Sequence, residues 1–333
     1  MIPDLLSISL SPKLLDLIIF PTEKCNFRCT YCYEDFQNGK MSRDTINSIK
    51  KLIKNRIDNL HLLSISWFGG EPLLAKDIIY EISEYIIENK KESLNFNSNI
   101  TTNAYLLDKT TFIKLCKCNI SRFQVSIDGM EDIHNNTRKL ANGLGSYGQI
   151  IKNLKSIRDE TNQDVTIIIR LHYSLDTLEE LEDTIIFLKN EFSSDKRFKI
   201  LIKSLKKLGG NNDKFLKNHD YSSEKLFVNN LKYKLGLEDF SYQETVQQHI
   251  CYASRANSFA IRSTGELAKC TVALNHPMNR IGKLNSDGLL SINDNKIKLW
   301  INGLQTNDPI VLACPYTQLL EAKKLKKIPA QNL

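Results

Sequence analysis

A chain of 333 residues, 41% hydrophobic and 25% charged, has the length for a large barrel-type domain plus a smaller one and the composition of a globular core. No apolar run reaches the ~18 to 20 residues of a spanning helix, and Met1 to Lys13 lacks the basic-then-apolar order of a secretory signal, so no membrane partner is expected and the cytoplasm is the default location. The net charge of +7 is scattered, with Lys323 to Lys327 its densest run and a solvated end by expectation, which argues against a nucleic-acid groove.

Six short runs rich in Ile, Val, Leu and Phe read as strands: Leu15 to Phe20, His61 to Trp67, Leu94 to Thr101, Arg122 to Ile127, Asp164 to Leu171, and Phe198 to Lys203. Between them apolar residues recur every three or four positions, as in Ile46, Ile49, Ile53 and Ile57, or Ile78, Ile82, Tyr85 and Ile86, the stripe of a helix buried on one side. Further helices are expected near Asp108 to Leu115, Tyr147 to Ile157 and Leu178 to Leu188, with Ser42 and Asp108 as N-caps. Strands alternating with helices imply a parallel α/β sheet with right-handed crossovers. Six units fall short of the eight that close a barrel, so periodicity allows either an open doubly wound sheet or a partial barrel. The alternation stops near Lys203. Leu208 to Asp213 reads as a flexible connection, a helical pattern covers Ser222 to Leu235, and Ser258 to Ser263 with Glu266 to Thr271 reads as a hairpin turning at Thr264-Gly265. The boundary is placed near residue 205, giving parts 1–205 and 206–333.

Cys25, Cys29 and Cys32 set three thiols at C-x3-C-x2-C just after the first strand. A zinc site normally collects four ligands, and the nearest other candidate, His61, is far along the chain. Disulfides are uncommon in the reducing compartment that 8 Cys without a signal peptide suggest. Three thiolates can instead hold a four-iron cluster and leave one iron open to a small molecule.

The motif, with Tyr31 before its third Cys, resembles the signature of the radical SAM superfamily. The resemblance implies a partial (β/α)6 TIM-type barrel and a [4Fe–4S] cluster on Cys25, Cys29 and Cys32. It also implies S-adenosylmethionine bound at the open iron, where an electron from the cluster releases a 5′-deoxyadenosyl radical. Gly69-Gly70-Glu71-Pro72, after the second strand, is similar to the superfamily's Gly-Gly-Glu-Pro motif, which binds the methionyl ammonium. Read as residues, the glycines admit a close backbone approach to a ligand, Glu71 is an anionic acceptor, and Pro72 suits the first position of a helix; the four are equally a strand-to-helix turn. Asn103 lies in Thr102-Asn103-Ala104, where relatives carry Thr-Asn-Gly. Ser126-Ile127-Asp128-Gly129, followed by His134 and Arg138, resembles a pattern of the peptide-modifying branch, which places Ser126 and Asp128 beside the ribose or methionine. The plain alternative is that Asp128 caps the next segment and pairs with Arg138. Arg170, ending the fifth strand, is expected near the cofactor carboxylate or as a barrel-mouth charge. All of these fall at carboxyl ends of strands, where parallel α/β folds gather ligands.

Farther on, Cys251, Gly265 and Cys270 resemble the C-x(9 to 15)-G-x4-C opening of SPASM and twitch extensions, smaller α+β domains that hold auxiliary iron–sulfur clusters. Full SPASM domains carry several more Cys, whereas here only Cys314-Pro315 follows. The resemblance implies one auxiliary [4Fe–4S] cluster on Cys251, Cys270 and Cys314, its last position open or filled by a side chain or substrate. The plain alternative is three small buried hydrophobes, and a thiol that is not a ligand is a candidate hydrogen donor. Cys116 and Cys118 read as structural thiols. Tyr252 and Arg255 stand near the proposed cluster, without a spacing that carries chemistry.

Relatives of this kind mostly modify peptides, so the expected function is maturation of a ribosomally made peptide, with the radical abstracting hydrogen and an intramolecular crosslink forming. The partners implied are a peptide and a low-potential electron donor such as flavodoxin or ferredoxin. Few residues precede the first strand, so leader recognition is expected from the barrel, the C-terminal domain or a separate leader-binding protein. Three alternatives stand beside this: a peptide α-carbon epimerase, a formylglycine-type sulfatase activator, whose relatives carry the fuller Cys set, and a non-catalytic iron–sulfur sensor. A sensor has no use for a methionyl-binding Gly69 to Pro72.

Overall fold

Every β-branched run expected to be a strand is one. The computed structural model describes residues 2–216, 221–237 and 249–319, so the basic run Lys323 to Lys327 lies outside the described residues. In chain order the elements are α1 (Ile2–Leu10), β1 (Leu14–Ile19), β2 (Phe27–Cys29), α2 (Arg43–Arg56), β3 (Leu62–Trp67), α3 (Lys76–Asn89), β4 (Asn95–Thr102), α4 (Lys109–Lys117), β5 (Ile120–Ile127), α5 (Glu131–Thr137) and β6 (Arg138–Leu140). They continue with α6 (Tyr147–Glu160), β7 (Thr166–Tyr173), α7 (Leu181–Phe192), β8 (Phe198–Ser204), α8 (Tyr221–Lys234), β9 (Ser258–Ile261), β10 (Glu266–Ala268), β11 (Gly282–Leu284), β12 (Leu290–Ile292), α9 (Asp294–Thr306) and α10 (Pro309–Ala313). None of the described helices is long and apolar enough to cross a membrane.

The helices start and bury where their chemistry directs. Ser42 accepts a hydrogen bond from Thr45 N, and Asp108 accepts one from Thr111 N, each satisfying an otherwise orphaned backbone donor. The stripe Ile46, Ile49, Leu52 and Ile53 of α2 and the stripe Ile78, Ile79, Ile82 and Ile86 of α3 are buried in the same core as Leu17, Ile65 and Trp67 of the strands. This is the period of a helix facing a sheet on one side.

The strands β1, β3, β4, β5, β7 and β8 are parallel neighbours in that order, forming the partial barrel. The C-terminal hairpin does not stand apart from it. Strand β9 lies parallel against the free side of β1, with Leu17 opposite Phe259 and Ile19 opposite Ile261, and β10, β11 and β12 follow as antiparallel neighbours. Among the described residues, one ten-stranded sheet therefore runs through both parts of the chain.

A buried ion pair pins the hairpin to the loop after β1. Arg262 Nη2 and Nε donate to Glu23 at 2.5 and 3.2 Å, and both residues are 3% exposed. Ser263 Oγ and Asn38 Nδ2 donate to the same carboxylate. Burial pushes the Glu23 carboxyl up, but these donors and the guanidinium charge outweigh it and hold it below its usual value.

Candidate active site

The cysteine loop leaves β1 at its carboxyl end and is fixed on two sides. A separate ribbon, β2 with β6, pairs Phe27 with Leu140, Arg28 with Lys139 and Cys29 with Arg138. Thr30 N donates to Thr137 O at 2.9 Å, continuing the same seam. On the other side, Asn103 Nδ2 donates to Asn26 Oδ1 at 2.8 Å. Cys25, Cys29 and Cys32 are each half-buried and within electrostatic reach of one another. Burial pushes all three thiols up, so that without a bound cation they hold their protons; Arg138 draws Cys29 the other way.

The Gly-Gly-Glu-Pro residues form a strand-to-helix turn packed on the cysteine loop. A side chain on Gly69, at φ +125°, would meet Thr22 O at 2.2 Å, and one on Gly70 would meet Lys24 O at 2.5 Å. The backbone that approaches these glycines is the cysteine loop itself, and Glu71 N donates to Lys24 O. Glu71 already has three donors within the protein. It is fully buried, and its carboxylate accepts from Leu73 N at 2.9 Å, Thr102 Oγ1 at 2.7 Å and Asn103 N at 2.7 Å. It joins the loop after β3 to the loop after β4, one step behind Cys25. Pro72 does begin a helical turn, as expected. Glu71→Gln is expected to lower stability by about 1–3 kcal/mol in urea denaturation, because a carboxamide N–H must then face one of three donors. Ala104, where relatives carry Gly, keeps the left-handed backbone at φ +60°, and Asn153 Nδ2 donates to its carbonyl.

Asp128 is the centre of a buried network and not a cap; the helix after it is capped from Met130, without a side-chain bond. Tyr31 OH donates to Asp128 at 2.9 Å, Thr137 Oγ1 at 2.8 Å and His172 Nδ1 at 3.1 Å, while Arg138 Nη1 lies 3.8 Å away. Burial opposes the charge, but Arg138 and His172 hold the carboxyl well below the usual carboxylate range. Arg138 Nη1 also donates to Tyr31 OH at 2.6 Å. His134 is structural: its Nδ1 accepts from Asp128 N and its Nε2 meets Ser146 Oγ, and burial lowers its pKa to about 3. Ser126 and Arg170 are register partners on β5 and β7, so their side chains share a face. His172, two residues beyond Arg170, escaped the sequence reading, although period two places it on that same face.

The second thiol group also assembles. Cys251, Cys270 and Cys314 lie within mutual electrostatic reach, the first two half-buried and the third exposed. Cys251 N donates to Leu312 O, and Asn279 Oδ1 accepts from Cys270 N, both at 2.9 Å. Tyr252 OH binds Thr271 beside Cys270. Tyr33, next to Cys32, packs with Tyr252 on Ile18, Phe20, Ala260, Ala268 and Leu274, and so stands between the two thiol groups. The stretch read as a flexible connection is docked here, because Gly210 leaves no room for a side chain against Tyr33 and Asn212 Nδ2 donates to Cys32 O at 3.1 Å. Cys116 and Cys118 sit at the end of α4, the first half-buried and the second buried.

Residues 19–188 match the radical SAM superfamily, which is half of the chain, and the cysteine loop with its supporting turns lies inside that span. The chain belongs to the radical SAM superfamily. It is 28% identical over 151 residues to a cysteine-type anaerobic sulfatase-maturating enzyme of Clostridium novyi, a segment covering 43% of this chain and 40% of that protein. Its curated relatives are thus matched over less than half their length. Among solved structures, native anSMEcpe with bound AdoMet and Cp18Cys peptide shares the fold at TM-score 0.66 and 19% identity, over 86% of this chain and 83% of that one. Streptococcus suis SuiB bound to its precursor peptide SuiA does so at TM-score 0.59 and 17% identity, over 91% and 69%.

The residues fit what membership of this radical SAM superfamily implies. Among the described residues no three His, Cys, Asp or Glu side chains close on a point that would hold a single metal ion; a four-iron cube spreads its thiolates more widely, and three half-buried thiols suit it. Beside them, Arg138 Nε and Arg170 Nε are buried without a hydrogen-bond partner among the described residues, a donor set for an anionic group.

Proposed function

We propose that this radical SAM protein is a peptide maturase that forms an intramolecular crosslink in a ribosomally made peptide. When bound, the cluster and S-adenosylmethionine would supply a carbon radical able to abstract hydrogen from an unactivated position. The chain's own residues do the rest. Cys25, Cys29 and Cys32 hold the cluster; Arg170, with Ser126 beside it, faces the anionic end of the cosubstrate; the backbone of Gly69 to Pro72 and Asn103 shapes the wall behind it; and the Tyr31–Asp128–Arg138 network fixes the loop that carries the thiols. Residues 1–205 form the core and residues 206–333 the auxiliary domain. A low-potential flavodoxin or ferredoxin feeds the cluster, and the leader is gripped by the barrel, the auxiliary domain or a separate protein.

The observation that carries the peptide reading is the convergence of Cys251, Cys270 and Cys314, one tyrosine pair away from the first thiol group. A second cluster there suits a reaction that removes electrons from the substrate after hydrogen abstraction. Anaerobically reconstituted protein with S-adenosylmethionine, reductant and short peptides encoded beside its gene is expected to give a peptide lighter by about two hydrogens, the mass change of one new bond with both partners losing hydrogen. An unchanged mass in ordinary water, with one deuterium gained at an α-carbon when the reaction is run in deuterated water, selects epimerisation instead. Formylglycine formation is the second reading, favoured by the likeness to sulfatase-maturating enzymes. It is checked by supplying a sulfatase-type peptide with Cys at the target position.

A further inference from the structure

We infer that Arg138 sets the reduction potential of the cluster on Cys25, Cys29 and Cys32, its guanidinium stabilising the more negative, reduced state. The inference rests on the cluster reading above and on nothing about the peptide.

The placement comes from the ribbon. Cys29 and Arg138 are directly opposite in the antiparallel pair of β2 and β6, so both side chains leave the ribbon on one face. Arg28 and Lys139, the next pair, are exposed, which assigns the Cys29 face to the interior. Arg138 is 8% exposed and lies over the Phe27 ring at 5.8 Å. Tyr31 OH accepts from its Nη1 at 2.6 Å, and its Nε has no partner among the described residues. Cys29 and this guanidinium lie within electrostatic reach of each other. A buried charge is screened far less than a surface one.

Net charge, hydrogen bonds to sulfur and burial set iron–sulfur potentials. One-electron reduction by a chemical reductant such as titanium(III) citrate adds one negative charge to the cluster, and a fixed cation beside a ligand favours that state. Asp128, 3.8 Å from Nη1, partly offsets the cation. Removing one or the other should therefore move the potential in opposite directions, which a merely structural role would not do.

The test is a redox titration of the full-length reconstituted protein without S-adenosylmethionine, followed by electron paramagnetic resonance. The signal that changes on later addition of S-adenosylmethionine identifies the relevant cluster. At the wild-type midpoint, Arg138→Gln is expected to lower the reduced-to-oxidised ratio about tenfold, which is ~59 mV for a one-electron couple. Arg138→Lys should stay within about threefold of wild type, Asp128→Asn should raise the ratio, and Lys139→Gln, with the same loss of charge on the exposed face, should change it less than about twofold. Arg138→Gln matching Lys139→Gln overturns the proposal, as does a shift of the same sign in Arg138→Gln and Asp128→Asn. So does a change confined to S-adenosylmethionine affinity, which would make Arg138 a cosubstrate ligand alone. Should Arg138→Gln fail to retain iron, Asp128→Asn decides: no rise sinks the idea. Failure of the cluster reading is separate, since wild type would then give no signal that responds to S-adenosylmethionine and Cys29→Ala would lose no iron.

Discussion

Cys29→Ala should reduce 5′-deoxyadenosine formation from S-adenosylmethionine to that of a protein-free control. It should also remove about four iron atoms per chain after anaerobic reconstitution. The middle thiol is the informative one, because it sits on β2 opposite Arg138 and its loss leaves the loop's other anchors, at Asn26 and Thr30, in place. The paired variant Cys251→Ala/Cys270→Ala separates the two thiol groups. It should lose a similar amount of iron while still forming 5′-deoxyadenosine in the absence of peptide, and should fail to complete the modified peptide. Iron content unchanged in Cys29→Ala would remove the first site; unchanged iron in the paired variant would leave Cys251 and Cys270 as ordinary buried thiols.

Arg262→Met is expected to destabilise the protein by about 3–5 kcal/mol, read as a lower urea midpoint, because it strands a buried carboxylate. Among the described residues, Glu23 would keep only Ser263 and Asn38 as donors. The double variant Glu23→Leu/Arg262→Met should recover most of that loss, since apolar groups of similar volume need no partner. Acid should act in the same direction as the single substitution. Glu23 has a folded pKa below its unfolded one, so its contribution is present above the unfolded value and is lost as pH falls through the folded value. In Arg262→Met that dependence should reverse, because burial then holds the stranded carboxyl above its unfolded value and protonation relieves it.

The barrel half was legible because its signals are local. Alternating Ile and Val runs, helical stripes and the caps at Ser42 and Asp108 each report on the few residues around them, and all recur in the structure. The cysteine spacing is local too. What escaped is what depends on a partner distant in sequence. Nothing within Ser258 to Ile261 says that it will lie along β1, and a four-residue strand carries little pattern. Glu71 and Asp128 were legible as acceptors, but composition does not say what donates to them; the structure gives Leu73, Thr102 and Asn103 to one and Tyr31, Thr137 and His172 to the other. The Glu23–Arg262 pair did leave a trace. Each is a charge beside a run of residues that are otherwise apolar or small, Ile18 to Thr22 and Phe259 to Ile261, and a charge in such a setting needs a counter-charge.

The seating of β9 beside β1 has a consequence for biogenesis. During synthesis β1 waits for a neighbour that is translated about 240 residues later, and until then that edge displays unpaired N–H and C=O groups to any passing chain. Such a long-separated pairing slows acquisition of the native topology. Chain halted at residue 205 should accordingly clump during synthesis, and coexpression of the missing half should rescue it only if that half reaches the waiting edge first.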